Sequence, residues 1–290
     1  MEYIVHLIIM LSIYSILVLS ANLTIGMANL LTLCQAAFYG IGAYIGTYFL
    51  MQFNLPFIII AAIVMLLTGA FSFLISLASV RLKGNYFVIA TMGFQMIVYT
   101  ILYNWRDVTN GPYGISGIPG IKILGVIETQ GIYSFLVLSL ILAAIVILLF
   151  THLVKSPFGR ALNAIRSDET QVQALGRNTV LIKSWAFFLS AATAGLAGTV
   201  FASYSQFIDP TSFTLDASIF IICALFIGGI GNTRGPVLGA VFIVLLPELL
   251  RFIGITEAAS ASLRQIIYGL TLIIVMFLRP QGLLGKNVIK

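Results

Sequence analysis

Charge is what this 290-residue sequence has least of. Fifteen Lys and Arg and nine Asp and Glu make up 8% of the chain, against 60% hydrophobic residues; an average soluble domain is about 25% charged. Between Glu2 and Arg81 there is no Lys, Arg, Asp or Glu at all, which leaves room for three apolar crossings of about 20 residues each. An ordinary soluble domain is excluded. A membrane β-barrel is excluded too, because barrel strands alternate apolar and polar residues and these runs do not. The two cysteines, Cys34 and Cys223, lie far apart in apolar segments and read as small buried residues, not as a disulfide or metal site. The two histidines, His6 and His152, have no ligand-type neighbours, so no metal or cofactor is expected. Paired carboxylates and a Ser-His-Asp set are missing, which speaks against an embedded enzyme. No glycine run ends in the Lys-Ser/Thr of a phosphate loop, so the chain is not expected to bind ATP in that way. The net charge of +6 does not point to nucleic acid, because the basic residues sit in short loops, as orientation signals do.

What is present is a series of apolar stretches, and the expected fold is all-α and polytopic, one transmembrane domain over residues 1–290. Spans are placed at about 3–21, 28–50, 57–80, 86–104, 133–154, 184–206, 217–231, 236–252 and 265–279. The first is not a cleaved signal peptide, since it lacks a basic leader and its apolar run is too long. Basic residues cluster at Arg81 and Lys83, in the segment 155–183, at Arg234, and in the tail at Arg279, Lys286 and Lys290. Nine spans with the N-terminus outside put all four clusters on the cytoplasmic side, as the positive-inside rule requires. The 105–132 and 208–216 segments, balanced or acidic, then fall outside.

The segment KSPFGRALNAIRSDETQVQALGRNTVLIK, Lys155 to Lys183, concentrates the charge: Lys155, Arg160, Arg166, Arg177 and Lys183 with Asp168 and Glu169. Its local chemistry predicts two short helices. Ser156 caps the first, with Pro157 at the first helical position. Ala161, Leu162 and Ile165 form an apolar stripe between Arg160 and Arg166. Asp168 caps the second, with Gln171 three residues on, and Gly176 stops it. Such a pair is either a docking knob for a soluble partner or a passive loop on the headgroups. In the second span, Asn22, Asn29, Thr32 and Gln35 are polar where lipid is expected. They either line a pathway together with Tyr44 or hydrogen-bond within a packed bundle, where Gly42 and Gly46 would allow close crossings. The run TNGPYGISGIPG, Thr109 to Gly120, is a chain of turns. Glu248 and Arg251, three apart, read as a local ion pair. The span interiors lack the ionisable residues of an ion-coupled carrier. A docking segment without an internal motor points to a separate motor subunit, with a stand-alone carrier or channel as the alternative.

Several motifs in this order resemble the LivM-type permeases of bacterial ABC importers for branched-chain amino acids. They are Gln35 to Tyr44; Arg81 to Phe87 with Ala90, Thr91 and Gly93; Thr109 to Gly111 and Gly114 to Pro119. They continue with Ser156 to Arg160, Ala164 to Arg166, Asp168-Glu169, Ser190-Ala191, Ala194 to Gly198, Gly228 to Ala240, Pro247-Glu248 and Arg279 to Leu283. The resemblance covers about residues 20–285. It implies a multi-pass protein of the bacterial inner membrane that forms a heterodimer with a LivH-like permease. Two cytoplasmic ATPase subunits and an external, periplasmic substrate-binding protein are the implied partners. It makes 155–183 the segment that engages an ATPase, with Ser156, Gly159, Arg160, Ala164, Ile165, Arg166, Asp168, Glu169 and Gly176 as candidate coupling residues. Gly159 is expected to let a partner surface approach closely. Leu, Ile or Val is the implied substrate; related permeases handle urea, amides or other amino acids. Two departures stand out: Asn29 to Cys34 reads NLLTLC where the family usually has Gly-Gln-Leu-Ser-Leu-Gly, and Asn85 replaces a usually apolar residue.

Overall fold

The computed structural model describes residues 2–53, 55–82, 84–123, 127–128, 131–252, 257–278 and 282–284. Lys83, Arg279, Lys286 and Lys290, and the side chain of Arg251 with its expected ion pair, lie outside that set.

The apolar stretches become helices because a backbone surrounded by apolar groups must satisfy its own hydrogen bonds. In chain order they are α1 (Glu2–Ala21), α2 (Gln35–Gln52), α3 (Phe57–Ser79), α4 (Asn85–Asn104), the single turn α5 (Arg106–Thr109), α6 (Ile132–Lys155), α7 (Pro157–Ser167), α8 (Glu169–Ala174), α9 (Thr179–Ser205), α10 (Leu215–Gly228), α11 (Arg234–Phe252) and α12 (Glu257–Leu278). Five described helical stretches are long and apolar enough to cross a membrane: Glu2–Met27, Phe57–Ser79, Asn85–Asn104, Ile132–Lys155 and Thr179–Ser205. The strands are two-residue pairs. One of them joins Ile115–Ser116 to Phe207–Ile208, antiparallel.

α9 is the central post. It packs along α2 and α3, while α1 packs against α6, α9 and α11. Small residues set the closeness. A Cβ on Gly42 would lie 2.2 Å from Gly195 Cα, and one on Gly198 only 2.1 Å from the Tyr39 carbonyl oxygen. The backbones of α2 and α9 therefore touch, as small-residue crossings allow.

The expected second span, 28–50, needs correction. α1 runs on into a π-turn, Asn22–Met27, and residues 28–34 are not helical; α2 begins only at Gln35. Asn29 sits at φ +54°, a left-handed conformation that Asn tolerates better than most residues. A second irregular stretch, 206–214, precedes α10, and the two meet inside the bundle. The backbone N–H of Ala36 donates to Ser218 Oγ at 2.9 Å. Gln95 on α4, fully buried, accepts from the Ala37 N–H at 2.6 Å and donates to the Phe213 carbonyl at 2.8 Å. These side chains supply the partners that broken helices lose, which is the condition for irregular backbone at this depth.

The contacts sort the connecting segments to two ends. One end gathers the π-turn, residues 80–82 with the start of α4, the segment 155–183 and the 229–233 turn. The other gathers the start of α1, where His6 Nδ1 and Tyr204 Oη lie 2.6 Å apart and Tyr3 donates to Glu248, together with the 115–119 and 206–208 segments.

Candidate functional site

The segment 155–183 forms the two short helices that capping chemistry predicts. Ser156 accepts from the Gly159 N–H at 3.2 Å and donates to the Leu153 carbonyl at 2.7 Å, so it closes the end of α6 and the start of α7 at once. Asp168 caps α8, accepting from the N–H groups of Thr170 at 2.8 Å and Gln171 at 3.2 Å and from the Thr170 hydroxyl. The Thr170 hydroxyl, then the Gln171 N–H, holds this carboxyl below its ordinary value. Gly176 ends α8 at φ +76°.

The apolar stripe points the other way from the expected knob surface. Leu162 and Ile165 are buried against the protein's own core, and Ala161 is half-buried. At about 1.5–3 kcal/mol for each fully buried side chain, the stripe fastens the helix pair to the bundle. Gly159 is buried as well, and its role is corrected accordingly. A Cβ there would lie 2.3 Å from the Leu153 carbonyl oxygen and 2.5 Å from that of Val154. Its missing side chain serves the α6–α7 corner and not a partner's approach. The exposed face that remains carries Arg160, Asn163, Ala164, Gln171, Leu175 and Arg177. Leu175 is 81% exposed, an apolar group at the tip of a charged segment.

Three charged residues of this segment turn inward: Glu169, Lys183 and Arg166. Glu169 pairs with Lys183 at 2.7 Å, tying α8 to the first turns of α9. Arg166 Nη1 donates to the Gly26 carbonyl in the π-turn at 2.7 Å. Burial pulls the Arg166 guanidinium below its usual pKa, which still leaves it charged at physiological pH. Beneath these groups lies a cavity of about 660 Å³. Residues 28–31, 80–82, 84–85, 87–88 and the helix pair form its walls, with Asn29, Arg81, Asn85, Arg166, Glu169 and Lys183 in its lining.

The four candidate lining residues of the second span are not brought together. Asn29 lines that cavity, whereas Tyr44 lines a separate apolar one between α2, α3 and α4. Thr32 is buried and contacts Cys34 at 3.0 Å. Gln35 is buried and donates to Ser20 and, at 3.4 Å, to Ser190. Hydrogen bonding within the bundle thus accounts for Thr32 and Gln35. Gln95 escaped the sequence reading, although a lone amide inside the apolar run Phe87–Leu102 was the available signal.

The sequence model of a family described as "Branched-chain amino acid transport system / permease component" matches residues 3–276. The high-affinity branched-chain amino acid transport system permease protein LivM of Salmonella typhimurium is 33% identical over 295 residues, covering 94% of this chain and 68% of that protein. Its Escherichia coli namesake is 34% identical over the same shares. The autoinducer 2 import system permease protein LsrC of Salmonella paratyphi B is 29% identical over 204 residues, 68% of this chain and 56% of that one. No solved structure matches.

Proposed function

Since this chain belongs to the family of branched-chain amino acid transport permease components, we infer that it is a permease subunit of an ATP-driven importer for Leu, Ile or Val. The match across residues 3–276 carries this reading. The apolar helices support a multi-pass protein of the bacterial inner membrane. ATP hydrolysis then belongs to two cytoplasmic partner subunits. A second, LivH-like permease completes the pathway, and an external binding protein delivers the substrate.

The end holding 155–183 is the cytoplasmic one. Arg81, Lys155, Arg160, Arg166, Arg177, Lys183 and Arg234 gather there, whereas Asp209, Asp216 and Glu248 belong to the opposite end and Arg106 has Asp107 beside it. The positive-inside rule supports this assignment. It gives nine crossings with the N-terminus outside, the second and the seventh of them broken. The exposed face of α7 and α8, with Arg160, Ala164 and Leu175, is the surface that engages an ATPase. Ser156, Asp168 and Gly176 shape it, and Gly159, Ile165 and Glu169 hold it to the bundle.

The test is co-purification and uptake. In mild detergent the chain should retain the ATPase subunits, and labelled leucine should enter cells only when the external binding protein is present. Uptake by this chain alone in liposomes, driven by an ion gradient, would overturn the reading.

A further inference from the structure

Arg166 occupies an unusual position for a cation on a surface helix. It leaves the exposed face of α7 and enters a knot of backbone groups. Its Nη1 reaches the Gly26 carbonyl at 2.7 Å, in a π-turn. Single π-turns are rare and mark functional places in helices, because the wide turn frees a backbone group from its usual partner. The guanidinium also lies over Gly231, where a Cβ would sit 2.8 Å from Nη1. Gly231 belongs to the turn between α10 and α11. The π-turn and that turn are themselves joined, by Gly231 N–H to Asn22 Oδ1 at 3.1 Å and by Asn22 Nδ2 to the Asn232 carbonyl at 3.0 Å.

We propose that Arg166 is the positioning residue that carries movement of the α7–α8 pair to the two broken helices, and that it is not a docking contact. The proposal rests on the permease reading above and adds the route of coupling. Asp168 joins α7 to α8, as the C-cap of one and the side-chain N-cap of the other, while Ser156 joins α7 to α6 and the Glu169–Lys183 pair joins α8 to α9. A charge-assisted hydrogen bond from a half-buried guanidinium to the carbonyl of a buried glycine is short and directional, so a shift of α7 is passed to Gly26. From Gly26 two chain segments lead inward. One is 28–34, which enters α2 at Gln35. The other, through Asn22, is the 229–233 turn that closes α10. The helices α2 and α10 are also joined inside the bundle, through Ala36 and Ser218. A pull at the surface therefore reaches both breaks through hydrogen bonds, without any change in how the ATPase face is built.

The experiment compares Arg166→Gln with the wild-type chain in the assembled complex. Three quantities are read: ATPase pull-down, stimulation of ATP hydrolysis by loaded binding protein, and labelled leucine uptake. Arg166→Gln should keep wild-type pull-down, while stimulation and uptake fall about tenfold, the scale of one lost charge-assisted hydrogen bond. Arg166→Lys, whose ammonium can donate to the same carbonyl, should recover part of both. Gly231→Ala approaches from the other side, since its methyl displaces the guanidinium; at φ +80° it also strains the turn, so it should show the same split together with a lower thermal midpoint. It serves if Arg166→Gln fails to insert. Loss of pull-down together with uptake in Arg166→Gln, or wild-type stimulation and uptake in both variants, overturns the proposal. If the wild-type chain brings down no ATPase, the permease reading fails and the proposal falls with it.

Discussion

A single methyl group decides what Gly159 is for. A residue placed to admit a partner could be changed without harm to the isolated chain. Gly159 instead faces two carbonyl oxygens of its own preceding helix at 2.3 and 2.5 Å from where a Cβ would be. Backbone at a capped corner cannot yield cheaply, so Gly159→Ala should destabilise the purified chain by about 1–3 kcal/mol, as overpacking does. A thermal scan in detergent with no ATPase present checks this, and an unchanged midpoint would return Gly159 to the docking surface. Asp168 makes a second residue-level prediction, and its sign follows from its depressed pKa. A carboxylate bonded in the folded state and free in the unfolded one stabilises above its ordinary pKa. That contribution is lost as pH falls through the lowered folded value. Protection of the α8 amides, taken relative to their intrinsic exchange rate at each pH, should therefore persist from neutral pH down to the ordinary carboxylate range and be lost below it. In Asp168→Ala it should be low throughout.

At the scale of the helix, two kinds of glycine behave differently. Gly42 and Gly198 sit where α2 and α9 touch, while Gly93 on α4 has nothing within 4 Å. Gly42→Leu and Gly198→Leu should each lower the thermal midpoint or abolish the folded chain. Gly93→Leu should leave the isolated chain as stable as before, or slightly more so through better helix propensity. Equal effects at all three sites would mean that the close α2–α9 crossing is wrong. The same contrast shows what was legible beforehand. The Ser156, Pro157, Asp168 and Gly176 signals act within four residues, and they located α7 and α8 correctly. Long apolar runs located α1, α3, α4, α6, α9, α10 and α11 to within about five residues, whereas α12 begins well before the expected span and the single turn α5 was not expected. The break after α1 was not legible, because hydropathy is the same for a buried segment whether helical or extended. Asn22, Asn29, Thr32 and Gln35 announced polarity but not its cause. For Asn22 and Gln35 that cause lies in partners 209 and 155 residues away, and no window of sequence contains them; Gln95 likewise bonds groups 58, 118 and 123 residues away. Arg166 was assigned to a docking face for the same reason, since its partner Gly26 is 140 residues distant.

Taken whole, the molecule repeats one arrangement in opposite senses. In its first part α1 is followed by an irregular stretch, then α2, α3 and α4. In its last part α9 is followed by an irregular stretch, then α10, α11 and α12. α2 and α3 pack on α9, and α10 and α11 pack on α1. The π-turn of α1 lies at the end that holds 155–183, whereas the stretch after α9 pairs with Ile115–Ser116 at the other end. Two related halves entering from opposite ends are a familiar plan for transporters, in which irregular backbone meets near the middle of the bilayer. Here that meeting is Ala36 with Ser218 and Gln95 with Phe213. The plan requires the two irregular stretches to open toward opposite compartments, and this is testable without transport. Thr170, on the helix pair, and Thr211, before α10, are both exposed. The native Cys34 and Cys223 are buried and free, so they should give little background labelling. In intact cells with the outer membrane permeabilised, Thr211→Cys should react with a membrane-impermeant maleimide and Thr170→Cys should not. In inverted inner-membrane vesicles the pattern should reverse. Labelling of both positions from the same side would be incompatible with opposed halves. The exchanged pattern, with Thr170→Cys labelled in cells, would keep the opposed halves but invert the chain, placing α7 and α8 where no ATPase could reach them.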